Sequence, residues 1–161
     1  MLARTPTRPL LIGLIADTHG LIRPQALDAL RGADLIVHAG DIGNAEVLDA
    51  LTLIAPLHAV KGNIDRGPWA KQLADTMIIT VGELKLYLIH DINELPFEPS
   101  QRGIAVVISG HSHKPSIVRR DGVLFVNPGS AGPRRFHLPV ALAKLHVNGF
   151  DASAEILELK I

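Results

Sequence analysis

Short apolar runs separated by polar turns dominate the first third of the chain. The first run starts at Leu10 and stops abruptly at the turn 17–20, and two further runs cover residues 35–38 and 57–60. Runs this short, bounded by turn residues, indicate buried strands rather than membrane spans. Three buried strands are therefore predicted before residue 61.

Two helix signals separate these strands. Residues 24–31 begin with Pro24 and are followed by Gly32, a pairing that commonly frames a short helix. Asn44 precedes residues 45–54, whose apolar positions fall on one helical face. The resulting β-α-β-α-β order predicts a parallel sheet with helices packed on it, and such sheets bind ligands beyond the carboxyl ends of their strands.

The pattern changes in the second half, where strands follow one another through tight turns. Gly82-Glu83, Asp121-Gly122 and Asn148-Gly149 are typical hairpin turns. The strands predicted here cover residues 76–81, 85–90, 104–109, 116–119, 123–126, 140–147 and 152–160. Residues 91–103 are predicted to form a loop with at most a short helical turn. We expect this half to be mostly antiparallel.

Composition and charge narrow the class of protein. The 161 residues are 47% hydrophobic and 20% charged, which fits one globular domain over residues 1–161 with residues 1–9 as a loose leader. The formal net charge is +0 and no basic stripe is visible, which argues against a specific nucleic-acid partner. The chain has no cysteine, which excludes disulfides and thiolate metal sites and fits a cytoplasmic protein.

Residues able to bind metal ions follow almost every predicted strand. They are Asp17, His19, Asp41, Asn63, His90, His111 and His113. Taken singly, each would be assigned to a turn or to a structural histidine. Their coincidence at strand ends on one predicted face is difficult to assign to turns alone. If the backbone stays extended, the i, i+2 pairs Asp17/His19 and His111/His113 each point their side chains the same way.

The types of ligand are chemically coherent. Oxygen from Asp and Asn, together with neutral imidazole, suits divalent manganese, iron or zinc. Seven candidate ligands are too many for one tetrahedral ion and fit two ions that share a bridging carboxylate. Two ions ~3.5–4 Å apart can clamp the attacking and leaving oxygens of an in-line displacement.

The ordered motifs resemble those of a known enzyme family. The series Asp17-x-His19, Gly40-Asp41, Gly62-Asn63-x-Asp65, His90 and Gly110-His111-x-His113 is similar to that of the calcineurin-like metallophosphoesterases. Asn127-Pro128-Gly129-Ser130, followed by Pro133-Arg134, resembles the small bacterial and archaeal phosphodiesterase branch. The resemblance implies an α/β fold of two stacked mixed β-sheets flanked by helices, a four-layer α-β-β-α sandwich.

The same resemblance implies a dinuclear metal centre. Asp17, His19 and His113 would bind one ion, Asn63, His90 and His111 would bind the other, and Asp41 would bridge them. Asp41, Asn63 and His90 would be the catalytic residues around a metal-bridging hydroxide that attacks phosphorus in line. Manganese is the favoured metal, with iron, zinc and nickel as alternatives.

Four residues need a separate interpretation. In many family members a histidine that protonates the leaving group stands where this chain has Ile64. The small branch commonly lacks this histidine. We therefore expect activity on good leaving groups, or with a proton supplied by water. Asp91 could orient a ligand histidine or be a solvated loop residue, and Asp65 could support the ligands or simply form a turn. His38 is predicted to be a buried structural histidine.

Cations after Ser130 are the candidate substrate contacts. Arg134 and His137, with Arg135 between them, could bind a substrate phosphate or be solvated. We therefore predict a metal-dependent phosphodiesterase that acts on a small phosphoester, with no membrane partner. The alternative is a non-catalytic, metal-binding protein-interaction scaffold on the same fold. A homo-oligomer is left open, with Trp69 as a candidate contact.

Overall fold

Ten strands and two helices are present in the computed structural model, which describes residues 8–161. The strands are β1 (Leu10–Ile15), β2 (Leu35–His38), β3 (Leu57–Ala59), β4 (Thr76–Val81), β5 (Leu84–Ile89), β6 (Ile104–Ile108), β7 (Ser116–Arg120), β8 (Val123–Asn127), β9 (Ala141–Asn148) and β10 (Asp151–Glu158). The helices are α1 (Pro24–Leu30) and α2 (Ala45–Thr52). The strands form two five-stranded sheets, β10-β9-β1-β2-β3 and β4-β5-β6-β8-β7.

The first sheet contains the predicted parallel unit. β1 is parallel to β2, with Ile12 opposite Leu35, and β2 is parallel to β3. The Asn44 side chain accepts a hydrogen bond from the Val47 main chain, which explains why α2 starts there. β9 extends this sheet antiparallel to β1, and β10 pairs antiparallel with β9 at the edge. The predicted β-α-β-α-β order is confirmed.

The second sheet is mixed, so the expectation of a mostly antiparallel second half is wrong for its centre. β5 is parallel to β6, and β6 is parallel to β8. Only the outer pairs β4/β5 and β7/β8 are antiparallel hairpins. Residues 91–103 make the β5–β6 crossover with two 3₁₀ turns in place of a helix, and this is why the sequence pattern did not indicate a parallel connection.

The two sheets pack face to face over a shared apolar core. Leu14 and Val37 of the first sheet and Leu86 and Val106 of the second are fully buried in this layer. Each such side chain stabilises the fold by about 1.5–3 kcal/mol relative to an exposed one. α1 and α2 cover the outer face of the first sheet through residues such as Leu30.

The outer face of the second sheet has a thinner cover. The 3₁₀ turn Ile92–Glu94 and neighbouring Leu95 and Phe97 pack on Tyr87 and Ile89. The fold of two stacked mixed sheets flanked by helices is therefore as predicted, although the fourth layer consists of 3₁₀ turns and loop. Among residues 8–161, neither helix is long and apolar enough to cross a membrane.

The predicted leader falls mostly on residues 1–7, which lie outside the described part of the chain. Of its last residues, Arg8 makes a 2.7 Å ion pair with Asp34, and β1 begins at Leu10. The carboxyl ends of β1, β2, β5 and β6 meet at one end of the sandwich. Main-chain hydrogen bonds join their loops there, from Asp17 to Gly40 and from Gly110 to His90.

Candidate metal centre

Asp17, His19 and His113 form the first group of potential ligands. Their ligand atoms all lie within 4.8 Å of one another. His19 Nε2 is 3.4 Å from His113 Nε2, and His113 Nε2 is 3.7 Å from Asp17 Oδ1. Asp17 and His19 follow β1 whereas His113 follows β6, so the group joins the two sheets.

Asp17, Asp41 and His90 form the second group, and its ligand atoms also lie within 4.8 Å of one another. His90 Nε2 is 3.3 Å from Asp41 Oδ2, and the same oxygen is 3.7 Å from His19 Nε2. Asp41 Oδ2 thus lies between an imidazole of each group. Asp17 belongs to both groups, and all three residues of the second group are buried.

The imidazole nitrogens of three candidate ligands carry lone pairs that a cation could accept. His90 Nδ1 donates to the Ala39 carbonyl at 2.8 Å. Because the proton is on Nδ1, the buried Nε2 carries a lone pair, and it has no hydrogen-bond partner among the described residues. The Nε2 atoms of His19 and His113 face each other, and only one of them can donate a proton to the other. A cation would satisfy both lone pairs at once, so the residues present fit a metal ion.

Burial and charge shift the proton affinities of these groups in opposite directions. Burial raises the pKa of Asp17 to about 7, because a carboxylate with no cation beside it is costly inside a protein. Burial also raises the pKa of Asp41, but contact with His90 and the main-chain N–H of Ile64 outweighs it and lowers that pKa to about 2. Burial lowers the pKa of His90, yet the contact with Asp41 more than reverses this and raises it.

The two remaining histidine shifts favour the neutral, metal-binding form. Burial, assisted by the charge of Arg135, lowers the pKa of His113 to about 4. Burial likewise lowers the pKa of His19, with Arg135 adding to the effect. Both imidazoles are therefore neutral at pH 7, as a metal ligand must be.

The backbone at these positions is unusual. Among residues 8–161, seven non-glycine residues have a positive φ. Five of them are candidate ligands, namely Asp17, His19, Asp41, His111 and His113, with φ between 46° and 71°. Strained residues of this kind cluster at functional sites, where the surrounding structure holds them in place. The premise that extended backbone aligns the i, i+2 pairs is consequently wrong, although Asp17 and His19 still join one group.

Glycines before two of the candidate ligands allow loops to approach closely. A Cβ on Gly40, whose φ is 103°, would lie 2.6 Å from His90 Nδ1. A Cβ on Gly62 would overlap the main chain and carboxylate of Asp41. The loops carrying Asp41 and Asn63 can therefore meet only because these positions have no side chain.

Asp65 joins the loops that follow β2 and β3. Its buried carboxylate accepts hydrogen bonds from the main-chain N–H groups of Ile42 at 3.1 Å, Gly43 at 2.9 Å and Gly62 at 2.9 Å. It supports the site by fixing the backbone around Asp41, rather than by orienting a histidine. The sequence suggested either support of the ligands or a simple turn for Asp65, and these hydrogen bonds favour the supporting role.

The segment 127–130 joins the other loops. Asn127 Nδ2 donates to the Gly110 carbonyl at 2.9 Å and to Ser112 Oγ at 3.1 Å. The Ser130 hydroxyl donates to the Asp17 carbonyl at 3.0 Å. These two side chains thus fix the backbone before His111 and at Asp17, a role the sequence motif alone did not reveal.

His38 is the buried structural histidine that the sequence predicts. Its Nδ1 accepts from the Gly40 N–H at 3.1 Å, and its Nε2 donates to Thr18 Oγ1 at 3.0 Å. The Thr18 hydroxyl in turn donates to the Ile42 carbonyl at 2.8 Å. This chain of hydrogen bonds joins the loops after β1 and β2 beneath the candidate ligands.

Asn63 and His111 lie at the rim rather than within either group. Asn63 is exposed and lines, with His90, a cavity of 460 Å³. The His111 side chain is 44% exposed, and its ring centroid is 5.2 Å from that of His90. Asp91 Oδ2 is 3.7 Å from His111 Nε2, which is close but beyond hydrogen-bond distance. Ile64 is 46% exposed beside Asn63 and carries no proton to donate.

The predicted substrate contacts Arg134 and His137 are both exposed, in a loop beside the first group. His137 lines a cavity together with Ser112 and Lys114, which flank His113. Arg135, between the two predicted residues, is the cation whose charge reaches Asp17, His19 and His113. A role for Arg134 and His137 in substrate binding stays a prediction.

Two mixed sheets with Asp and His loops at one end are the architecture of metal-dependent phosphoesterases, and comparison with known proteins agrees. The chain belongs to the calcineurin-like phosphoesterase superfamily, whose domain matches residues 10–149. It is 33% identical over 160 residues to a "Probable metallophosphoesterase" of Methanothermobacter thermautotrophicus, covering 92% of each chain. It is 37% identical over 134 residues to one of Methanocaldococcus jannaschii, covering 75% of this chain and 68% of the relative.

Solved structures share the fold. An archaeal phosphodiesterase superposes with a TM-score of 0.76 at 22% identity, over 92% of this chain and 100% of that one. Vps29 from Entamoeba histolytica, solved in complex with Zn²⁺, superposes with a TM-score of 0.72 at 25% identity, over 92% of this chain and 99% of the other.

Proposed function

We propose that this chain is a metal-dependent phosphodiesterase that uses two divalent ions. The observation that carries the proposal is the pair of ligand groups that share Asp17, each with its donor atoms within 4.8 Å. Phosphoesterase membership agrees with it, as does the archaeal phosphodiesterase among the structures of the same fold. The substrate would be a small phosphoester.

The proposed ligand assignment follows the two groups. Asp17, His19 and His113 would hold one ion, and Asp41, His90, Asn63 and His111 would hold the other. Asp41 would bridge, because its Oδ2 lies between His19 and His90. When bound, divalent ions such as manganese would supply positive charge to the phosphoryl oxygens and activate water for attack on phosphorus.

The protein's own groups orient this chemistry. The Ala39 carbonyl fixes His90 with its Nε2 lone pair toward Asp41, and Asp91 lies beside His111. Arg135 adds positive charge on the side of the first group, and Arg134 and His137 would bind the substrate phosphate from the same loop. Ile64 offers no proton to a departing alcohol, so we expect good leaving groups to react fastest.

Metal counting combined with turnover tests the assignment. Metal analysis of the wild type should give close to two ions per chain, and a chelator should abolish hydrolysis of a bis-aryl phosphate. Asp41→Ala should lose both ions because Asp41 would bridge them, whereas His113→Ala should retain one. His58→Ala, at an exposed position on β3, is the matched control and should behave as wild type. An active, metal-free Asp41→Asn protein would refute the proposal.

A protein-interaction scaffold is the competing function, because Vps29 proteins share the fold. The seven intact candidate ligands favour the enzyme, since a scaffold needs no complete set. A wild-type protein that binds two ions yet hydrolyses none of a panel of phosphoesters would favour the scaffold. We further propose a cytoplasmic location, on the basis of the cysteine-free sequence.

A further inference from the structure

Phe136 is held in an unusual position beside the candidate metal centre. Its side chain is 90% exposed, and its backbone has a φ of 53°, in the left-handed region that bulky residues rarely adopt. Exposing a large ring in a strained conformation costs free energy without stabilising the core. Such a residue is best explained by something that the ring contacts in the working protein.

A cavity lies next to this ring. It has a volume of 440 Å³ and is lined by Ser112, Lys114, Phe136, His137 and Leu138. Ser112 and Lys114 are the chain neighbours of His113, so the cavity lies beside the first ligand group. Its volume is within the range of ~300–1,000 Å³ that is usual for small-molecule sites.

The two sides of the metal centre differ in charge. The cavity at Phe136 is lined by Lys114 and His137 and by no carboxylate. The 460 Å³ cavity on the His90 side is instead lined by Asp75, Asp91 and Glu94 against a single Lys61. The Tyr87 ring also lines the His90 side but is only 5% exposed, whereas Phe136 is 90% exposed. Of these two cavities, the one at Phe136 therefore combines a lysine unopposed by carboxylates, for the phosphate, with an accessible ring for an aromatic group.

We propose that the cavity lined by Ser112, Lys114, Phe136, His137 and Leu138 is a nucleobase subsite, in which the base of a nucleotide ester stacks on the Phe136 ring. This inference rests on the proposed phosphodiesterase function and names its substrate class. The phosphate lies against His113 and the cations of the loop, and the leaving alcohol points to the His90 side. A base has two flat faces and stacks on any aromatic ring, so a single exposed Phe suffices.

The first test compares two esters that release the same p-nitrophenolate when water replaces it on phosphorus. One is the p-nitrophenyl ester of thymidine monophosphate, and the other is methyl p-nitrophenyl phosphate, which has no base. Phe136→Ala should lower the ratio of their kcat/KM values about tenfold, as expected for the loss of one stacked base. Phe136→Trp should retain the ratio of the wild type.

Phe150→Ala is the matched control. Phe150 is 74% exposed in the β9–β10 turn, at the end of the first sheet opposite to Asp17, and its removal should leave both kcat/KM values unchanged. A ratio that Phe136→Ala leaves unaltered would overturn the subsite while leaving the phosphodiesterase intact. A lower assembled mass of the Phe136→Ala protein, with no change in the ratio, would also overturn the subsite. The ring would then be a contact between copies of the chain.

A binding measurement separates failure of the subsite from failure of the proposed function. Calorimetric titration of chelator-treated protein with adenosine monophosphate should give a Kd about tenfold weaker for Phe136→Ala than for wild type. Methyl phosphate should show no such difference. If neither ester is hydrolysed but this difference is found, the subsite stands and the phosphodiesterase does not. Equal Kd values in the two proteins would refute the subsite.

Discussion

Ser130 donates its hydroxyl hydrogen bond to the main-chain carbonyl of Asp17 at 3.0 Å, across 113 positions of sequence. The neighbouring Ala131 N–H donates to the Ala16 carbonyl at 3.1 Å. Asp17 has a φ of 55° and a buried carboxylate that belongs to both ligand groups. The loop after β8 therefore helps to hold Asp17 in a strained conformation that its own sequence does not favour.

Ser130→Ala removes this hydrogen bond, and we expect two measurable losses. The free energy of unfolding should fall by about 1 kcal/mol, as for one net hydrogen bond. Metal affinity should fall about 10- to 100-fold, because supporting contacts of metal ligands have effects of that size. Chemical denaturation and titration against a competing chelator measure the two. Ser100→Ala, at an exposed site, should change neither, and an equal change in both variants would contradict this role.

Asp65→Ala should be more severe, because three main-chain N–H groups would lose their common acceptor. Leaving buried donors unpaired costs about 1–3 kcal/mol each, so we expect the free energy of unfolding to fall by about 3 kcal/mol after partial rearrangement. The turn before Asp65 also carries Asn63 and the Ile64 N–H that donates to Asp41 Oδ1. One ion of the proposed pair should therefore be lost, as measured by metal analysis of the folded protein.

Two further variants distinguish this effect from simple loss of charge. Asp65→Asn keeps one carbonyl oxygen as an acceptor, so it should lie between wild type and Asp65→Ala in both stability and metal content. Asp28→Ala removes an exposed carboxylate whose contact with Arg31 is at the surface, and should cost at most about 1 kcal/mol with full metal content. If Asp65→Ala binds two ions normally, the support assigned to Asp65 is wrong.

The place of the site could be predicted from the sequence for a simple reason. Parallel strands end at the same edge of a sheet, so polar residues after successive strands must come together. Strand positions alone place Asp17, Asp41 and His90 at one edge, and their ligand atoms lie within 4.8 Å of one another although the three residues span more than seventy positions of the chain. Because the strands are buried, they appear in the sequence as short apolar runs, and the residues that follow each run can be identified.

The direction of each side chain could not be predicted in the same way. Side chains at i and i+2 point the same way only on extended backbone, whereas His111 and His113 have φ values of 71° and 64°. In the structure His113 joins the first group, and His111 remains at the rim beside Asp91. The difference depends on hydrogen bonds from distant residues such as Asn127, and no local pattern encodes these.

The β5–β6 crossover was missed because its cover is irregular. Leu95 and Phe97 pack on the outer face of the second sheet without any helical repeat. Hydrophobic periodicity detects regular elements, and a Pro-containing segment with 3₁₀ turns has none to detect. Mostly antiparallel pairing was therefore the natural but incorrect inference.

His38 should make the stability of the metal-free protein depend on pH. Burial, with a smaller contribution from the charge of His90, lowers its pKa from 6.5 to about 3. Below pH 6.5 the imidazole of His38 is protonated in the unfolded chain but stays neutral in the folded protein. The unfolded state therefore binds more protons, and the free energy of unfolding falls as the pH falls. The window runs from about pH 6.5 down to about pH 3, with a slope of at most about 1.4 kcal/mol per pH unit.

Comparison with His38→Gln isolates this contribution. Glutamine can accept from Gly40 and donate to Thr18 but does not titrate, so its protein should lose about 2 kcal/mol less than wild type between pH 7.5 and pH 5. Denaturation curves of both proteins in the presence of chelator give the difference, since the other titrating groups are common to both. His58→Gln should follow the wild-type curve because that side chain is exposed on β3. Parallel pH profiles for wild type and His38→Gln would show that the buried imidazole is not the source of acid sensitivity.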